Sequence, residues 1–518
     1  MRKNSGEKEK MKLNYKRTIL VGFAFFLISA FWQAYDAIVP LILTNHFGLP
    51  QTVSGVVMSV DNVLAVFMLP IFGALSDKIM TKYGRRTPFI VIGTVAAVLS
   101  FILLTVVNGI QLNALADSGI IEKYQMAADA YNVSVDAING MFDKGLITEA
   151  LRDSQILEAD LAFEAVKNTL KEEALELTLN NIWPLVGFIG VLLVVLISMA
   201  TFRSPAVALM PDVTVKPLRS KGNAIINLMG TAGGIIVLAF SSIFGITKDP
   251  YMSFTAYVVA TCVVMIVGLA IFLSTVKEKK WAEEMEQDSI RFGLNDEQAP
   301  TNEGTRSLSK AEFKSLALIL ASVALWYIGY NSITSKYSVY STNVLGVNYG
   351  LTLIVAQAAA IIAYIPVGIV ASKFGRRKTI LAGITMLATA FFIGNFIGRG
   401  ANPLVMYPIF ALAGIGWATI NVNSFPMVVE LAKGGEVGKY TGYYYTASMA
   451  AQIVAPILSG ALYDLFDMFT DGNGMRYVFF AFGTVFVVLS FVTMFFVKHG
   501  DAKAEKQDAL EALGGADD

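Results

Sequence analysis

Charge and reactive side chains are what this 518-residue sequence has least of. Only 15% of its residues are Asp, Glu, Lys or Arg, where soluble domains average about 25%. Lys+Arg and Asp+Glu balance at 40 each, so net charge points to no nucleic acid and no acidic partner. A single cysteine, Cys262, lies within an apolar run and excludes an intramolecular disulfide. Two histidines, His46 and His499, exclude a multi-histidine metal centre, and no metal or other cofactor is expected. There is no P-loop, no H-E-x-x-H and no G-x-S-x-G elbow, so no enzymatic activity and no nucleotide-driven process is expected. A cleavable leader is not expected either, because the first apolar run is long enough to span and lacks a clear small-residue cleavage site.

What the chain has instead is hydrocarbon: 55% hydrophobic residues and a mean hydropathy of +0.58. Crossing a ~30 Å apolar layer takes about 20 residues of helix. Runs of that length fall at 19–43, 53–76, 88–108, 182–202, 222–245, 253–275, 314–337, 350–371, 379–397, 404–428, 440–463 and 476–497. They predict an all-α integral membrane protein of twelve spans, six in an N-terminal half (19–275) and six in a C-terminal half (314–497). Residues 1–18 carry seven Lys/Arg against two Glu, which favours a cytoplasmic N-terminal tail. The polar stretch 276–313 reads as a solvated cytoplasmic linker and 498–518 as a cytoplasmic tail, with the cell membrane as the location. Between spans three and four, residues 109–181 hold 13 acidic and 5 basic residues and fall outside. Apolar residues at helical spacing from Ile156 to Leu177 predict a small helical cap there, or an outward extension of span four.

Two loops recur. Gly73 to Pro88 reads G-A-L-S-D-K-I-M-T-K-Y-G-R-R-T-P, and Gly368 to Lys378 reads G-I-V-A-S-K-F-G-R-R-K, with four fewer residues between the glycines. A second pair, Arg203 to Asn223 and Phe425 to Gly442, each has a proline leaving a helix, an acid (Asp212, Glu430) and a glycine opening the next span. Recurrence at matching places argues for two related halves. Gly73 would let two helices approach closely, and Gly84 would permit the reversal before Arg85 and Arg86.

These spans and loops resemble the major facilitator superfamily. The longer first loop ending G-R-R-T-P-F-I, and S-P-A-V-A-L-M-P-D-V-T…R-S-K-G-N-A from Ser204 to Ala224, resemble its sucrose-transporter-like branch, related to the glycoside–pentoside–hexuronide cation symporters. The resemblance implies a midplane cavity between the halves, opened alternately to each side, and lined by spans one, four, seven and ten. Met68-Leu69-Pro70 stands where sodium-coupled relatives have Asn-Asp-Pro, which favours the proton over sodium. Val207 stands where plant sucrose carriers have arginine, with Arg203 one turn earlier, and Asn331 stands in place of a span-seven carboxylate.

Ionisable groups within a span are costly and default to function. Asp36 and Asp61 fall at similar depths on spans one and two, roughly 10–12 Å below the outer boundary at ~1.5 Å per residue, and are the candidates for proton coupling. Each also has a structural reading, as a partner of neighbouring backbone or as a solvated group. Lys336 either pairs with one of these acids or snorkels to the interface. Sugars need amides for their hydroxyls and aromatic faces for the ring, and the candidates are Trp32, Gln33, Tyr35, Tyr330, Asn331, Trp417, Asn421, Asn423, Tyr444 and Gln452. Trp and Tyr also gather at membrane interfaces. Asp77, Arg85, Arg86, Arg203, Asp212, Arg376, Arg377 and Glu430 are expected to gate, latching the loops between spans. The expected function is uptake of a sugar or glycoside, a disaccharide by preference, with a proton, by a monomer in the lipid bilayer. A carrier of another polar metabolite, a drug exporter and a non-transporting receptor are the competing readings.

Overall fold

A chain that enters hydrocarbon leaves water behind, so each backbone N–H and C=O must find its partner within the same segment, and helix is the outcome. A computed structural model describes residues 13–215, 218–247, 249–292, 309–398, 403–429, 431, 437–470 and 472–499. Among these residues the first half contains α1 (Tyr15–Leu41), α2 (Gln51–Lys78), α3 (Thr87–Asp117), α4 (Ile120–Asp143), α5 (Glu149–Asn180), α6 (Trp183–Val213), α7 (Arg219–Ile243) and α8 (Thr255–Thr275). Helix α9 (Glu278–Arg291) leads to the second half: α10 (Lys310–Thr334), α11 (Tyr337–Tyr340), α12 (Tyr349–Phe374), α13 (Arg376–Gly394), α14 (Met406–Val429), α15 (Val437–Asp467) and α16 (Gly474–Phe495). All twelve predicted runs coincide with long helices, and ten helices are long and apolar enough to cross a membrane by length and composition. The insertion after α3 is a helical hairpin, α4 and α5, and marks one end of the bundle; the described chain ends mark the other. These are called the hairpin end and the termini end below.

The spanning helices are apolar toward lipid as well as toward the core. On α3, Ile92, Leu99, Leu103, Val106 and Ile110 are exposed at the bundle's surface, while Ile90, Ala97, Phe101 and Leu104 are fully buried. With lipid outside, hydrophobicity cannot orient such a helix, and close packing does so instead. Gly93 of α3 lies against the Phe202 and Ser198 backbone of α6, and Gly383 of α13 faces Gly416 of α14 so closely that a Cβ on either would strike the other's carbonyl. The same pairings recur in the two halves: α3 with α6 and α13 with α14, α2 with α6 and α12 with α14, α1 with α7 and α10 with α15. The halves meet through α2 against α15 and α7 against α12.

The connection between the halves departs from the sequence expectation. The stretch 276–313 has no sustained apolar face, yet Glu278–Arg291 is a helix docked on the first half. Its Glu278 is 2% exposed and accepts hydrogen bonds from the backbone N–H groups of Arg85 (2.7 Å), Arg86 (2.8 Å) and Thr87 (2.8 Å) and from the Thr87 hydroxyl (2.7 Å). A carboxylate thereby satisfies the free donors at the start of α3 and offsets its positive dipole end. Gly84 makes room for it, with φ +120° and the Glu278 carboxyl where a Cβ would be. Arg17 pairs with Glu284 and lies 5.0 Å from the Trp281 ring, holding the rest of α9 in place. Glu278→Ala is expected to cost about 1–3 kcal/mol, read as a lower unfolding temperature of the solubilised protein. Glu283→Ala on the same helix is expected to stay within about 0.5 kcal/mol. Equal melting of both variants would remove this cap from the account.

Candidate functional site

Two joined chambers lie between the halves. The larger, about 530 Å³, is walled by Trp32, Gln33, Asn227, Tyr330, Gln357 and Trp417 among others, and extends toward the termini end past Phe25, Val207 and Tyr364. The smaller, about 210 Å³, holds Asp36, Asp61, Asn62, Asn331, Ser335 and Gln452. Trp32, Asp36, Arg203 and Thr334 line both. Trp32 and Asp36 are one helical turn apart on α1 and so share a face, which is how one helix furnishes an aromatic wall and an acid to the same space.

The walls combine stacking surfaces with amides. Tyr330 and Trp417 stack at 5.9 Å and 25° across α10 and α14. Gln357 donates to the Gln33 carbonyl oxygen at 3.1 Å, and Gln33 donates to the Tyr349 hydroxyl at 3.2 Å, forming a chain between the halves. The Arg203 guanidinium lies 5.7 Å from the Trp32 ring, beside the two carboxylates. Several buried polar atoms of these walls have no protein partner among the described residues: the donors Trp32 Nε1 and Asn227 Nδ2, the acceptor Gln357 Oε1, and Ser335 Oγ. A buried polar atom left unpaired costs about 1–3 kcal/mol, so a guest or water able to hydrogen-bond with these atoms is favoured in the chambers.

The expected residues divide. Trp32, Gln33, Asp36, Asp61, Tyr330, Asn331, Trp417 and Gln452 come together at the chambers. Tyr35, Asn421, Asn423 and Tyr444 do not line them. Tyr35 is buried against Phe31 and Trp32, Asn423 donates to the Thr419 carbonyl of its own helix at 2.9 Å, Asn421 is buried within α14, and Tyr444 shares a hydrogen bond of 3.0 Å with Ser424. Arg203, expected among the loop charges, belongs to the chamber wall. Lys336 neither pairs with Asp36 or Asp61 nor snorkels: it is fully buried and donates to the Gln51 carbonyl at 3.2 Å. Gln357, Asn227, Asn62 and Tyr349 escaped the sequence reading. Gln357 was detectable as a lone amide in the apolar run of α12.

Asp77, Arg85, Arg86, Asp212 and Arg377 have partners within their own halves. Arg86 binds Asp77 (2.5 Å), Asp212 (2.8 Å) and Ser76, and Arg85 binds Asp212 (2.8 Å), which ties α2, α3 and α6 together. Arg377 donates to the Met494 and Phe495 carbonyls at the end of α16. Arg376 opens α13, and Glu430 lies outside the described residues.

Closure between the halves is found at the hairpin end. Asp464 of α15 accepts from the backbone N–H groups of Gln51 (2.8 Å) and Thr52 (2.7 Å) and from the Thr52 hydroxyl (2.5 Å), so one half caps a helix of the other. Helix α1 ends in a π-helical turn, Ile42–His46, and α11 in another, Ser341–Leu345, at the matching place of the second half. Their Asn45 and Asn343 exchange side-chain hydrogen bonds at 3.4 and 2.9 Å. Ser338 donates to the Asp36 carbonyl (3.2 Å), Ser242 to Asn348 (2.8 Å), and Lys167 of the hairpin to the Asn343 carbonyl. Gly55 and Gly460 allow this approach, packed on the Pro456 and Gln51 carbonyls. The chambers are thus shut toward the hairpin end.

Two six-helix halves meeting around joined central chambers give the architecture of a membrane carrier. A sequence profile described as "Major Facilitator Superfamily" matches residues 174–363 and 348–514, and the chain belongs to that superfamily. A profile described as "MFS/sugar transport protein" matches residues 20–116. The chain is similar to the mouse "Proton-associated sugar transporter A", 32% identical over 114 residues, and to the human protein of that name, 34% identical over 107 residues. These matches cover 22% and 20% of this chain and only 14% and 13% of the relatives. Among solved structures, the E. coli xylose transporter XylE in its inward open conformation aligns with TM-score 0.55 at 13% identity, covering 96% of this chain and 99% of that one. A bacterial homologue of the iron transporter ferroportin aligns with TM-score 0.56 at 12% identity, covering 93% and 99%. At these identities the structural likeness concerns the fold.

Asp464→Ala removes a charged acceptor from two backbone N–H groups, worth about 1.5–3 kcal/mol. Opening at the hairpin end should then become roughly 10- to 100-fold more frequent. The readout is faster labelling of Ser338→Cys from that side by an impermeant maleimide, in a Cys262→Ser background. Unchanged labelling would show that this carboxylate does not hold the gate.

Proposed function

We propose that this protein imports a sugar or glycoside, disaccharide in size, together with a proton, by alternating access. The observation that carries the reading is the set of unpaired donors and acceptors in a chamber that also offers the stacked Tyr330–Trp417 pair. A ligand that suits them needs hydroxyls, which both donate and accept, and a less polar face for the rings. An apolar drug would leave Trp32 Nε1 and Gln357 Oε1 buried and unsatisfied. A volume of about 530 Å³ falls among small-molecule sites of roughly 300–1,000 Å³. The sugar-transport profile over residues 20–116 and the likeness to the mammalian proton-associated sugar transporters support the same substrate class.

Charge counting favours the proton. With Asp36 and Asp61 ionised and Arg203 cationic, the small chamber carries one net negative charge, and a single proton makes it neutral. A neutral centre rocks through the low-dielectric midplane at less cost than a charged one. Binding a proton would accordingly license the inward transit of the loaded carrier, with Asp61 as the favoured acceptor and Asp36 as its partner; the Asn62 amide, which donates to Asp61 at 2.8 Å, and the nearby Arg203 charge stabilise the ionised form to which Asp61 returns on release. The Asp77–Arg86–Asp212–Arg85 network would keep three helices of one half moving as a unit while the halves rock. The basic N-terminal tail supports a reading with both tails in the cytoplasm and the hairpin outside, in the cell membrane, and a cavity formed within one chain supports a monomer.

Uptake of labelled disaccharides into proteoliposomes tests this. An inward proton gradient should stimulate uptake by the native protein, and Asp61→Asn should abolish the stimulation while leaving counterflow exchange. Stimulation that survives Asp61→Asn and disappears in Asp36→Asn would move the proton site to α1, and absence of any sugar flux would overturn the substrate class. Gln357→Leu is expected to raise the KM for sugar at least about tenfold, the loss of one buried hydrogen bond of roughly 1.5 kcal/mol. An unaltered KM would remove Gln357 from the binding wall.

A further inference from the structure

A second concavity lies outside the transport cavity, at the termini end, where the loop between α2 and α3 meets the junction of α8 and α9. It measures about 490 Å³ and is walled by Lys82, Tyr83, Lys277, Lys279, Lys280 and Glu283. Four lysines face one free carboxylate. Glu278, at the same place, is committed to the backbone N–H groups of Arg85, Arg86 and Thr87. Lys280 is loosely paired with Glu284 at 3.8 Å, and Lys82 lies 4.8 Å from the face of the Tyr83 ring. Helix α9 begins here with no side chain capping its first turn, and the one acid of that turn, Glu278, is turned to the start of α3.

The apolar surroundings say what kind of anion fits. Leu273 and Val276 complete the concavity, and Leu273 is exposed on α8 in line with Ile266, Val263 and Val259, which are also exposed and follow at helical spacing. Ile79 and Met80 are exposed beside Lys82. A free phosphate would use the lysines and ignore this stripe, whereas a phospholipid uses both. We propose that the concavity binds the phosphate group of an anionic phospholipid from the leaflet at the termini end, with its acyl chains along the exposed stripe of α8. Bound there, the lipid would bridge the α2–α3 loop to α9, the two elements that Glu278 already joins.

The test is titration of the full-length solubilised protein with phosphatidylglycerol and with phosphatidylcholine, read by native mass spectrometry. The native protein should retain phosphatidylglycerol at least about tenfold more tightly than phosphatidylcholine, from roughly fivefold attraction per lysine, compounded over several lysines. The triple variant Lys82→Gln/Lys277→Gln/Lys279→Gln should lose that preference, and the matching Lys→Arg triple should keep it. An unfolding temperature equal to that of the native protein certifies that the Gln variant is folded, and the single change Lys279→Gln serves if it is not. Millimolar inorganic phosphate should compete the lipid away. No preference for the anionic lipid, a Gln variant that binds as the native protein does, or saturable binding of inorganic phosphate without any of lipid would each overturn the assignment.

Discussion

The first N–H groups of α2 find their acceptor on the opposite half of the molecule, in the Asp464 carboxylate. Much of the closure at the hairpin end follows from that arrangement. Backbone groups at a helix end cannot be left bare where water is scarce, so α2 draws α15 close, Gly55 and Gly460 permit the approach, and Lys336 follows onto the Gln51 carbonyl. When the halves part, water must replace each of these partners. Contacts that share one helix end in this way would be made or lost together if the halves part.

The acids, the arginine and several of the amides that line the central chambers lie on the seam between the halves. Spanning helices have no use for Gln33, Asp36, Asp61, Arg203 or Gln357 against lipid, and all five line the central chambers. Each half is held rigid by its own contacts. Glycines let helices pack closely, Asp212 collects the two loop arginines, and Glu278 seals the start of α3. Rigid halves with a polar seam are what a rocking carrier requires, and the pair of π-helical turns carrying Asn45 and Asn343 shows the internal repeat used as a contact between the two copies.

Much of the site was legible for the same reason. An acid or amide in an apolar run is conspicuous, so Asp36, Asp61, Gln33, Asn331 and Gln452 could be picked out and do line the chambers. Tyr35, Asn423 and Tyr444 were equally conspicuous and lie elsewhere, since a polar side chain can also be satisfied by its own helix or its immediate neighbour, as Asn423 is by the Thr419 carbonyl. Asp464 was invisible because it sits at the end of a span, where an acid is unremarkable. Glu278 was one charge among many in a stretch that looked solvated.

The sequence by itself determined the twelve spans, their grouping into two related halves and the family, because hydrocarbon forces each span to be long, apolar and helical independently of its neighbours. Which face of each helix turns inward, which charges share a chamber, and that α15 caps α2 while α9 caps α3, were decided by tertiary structure alone. Those choices depend on small side chains and single hydrogen bonds between segments hundreds of residues apart, and neither leaves a periodic trace in the chain.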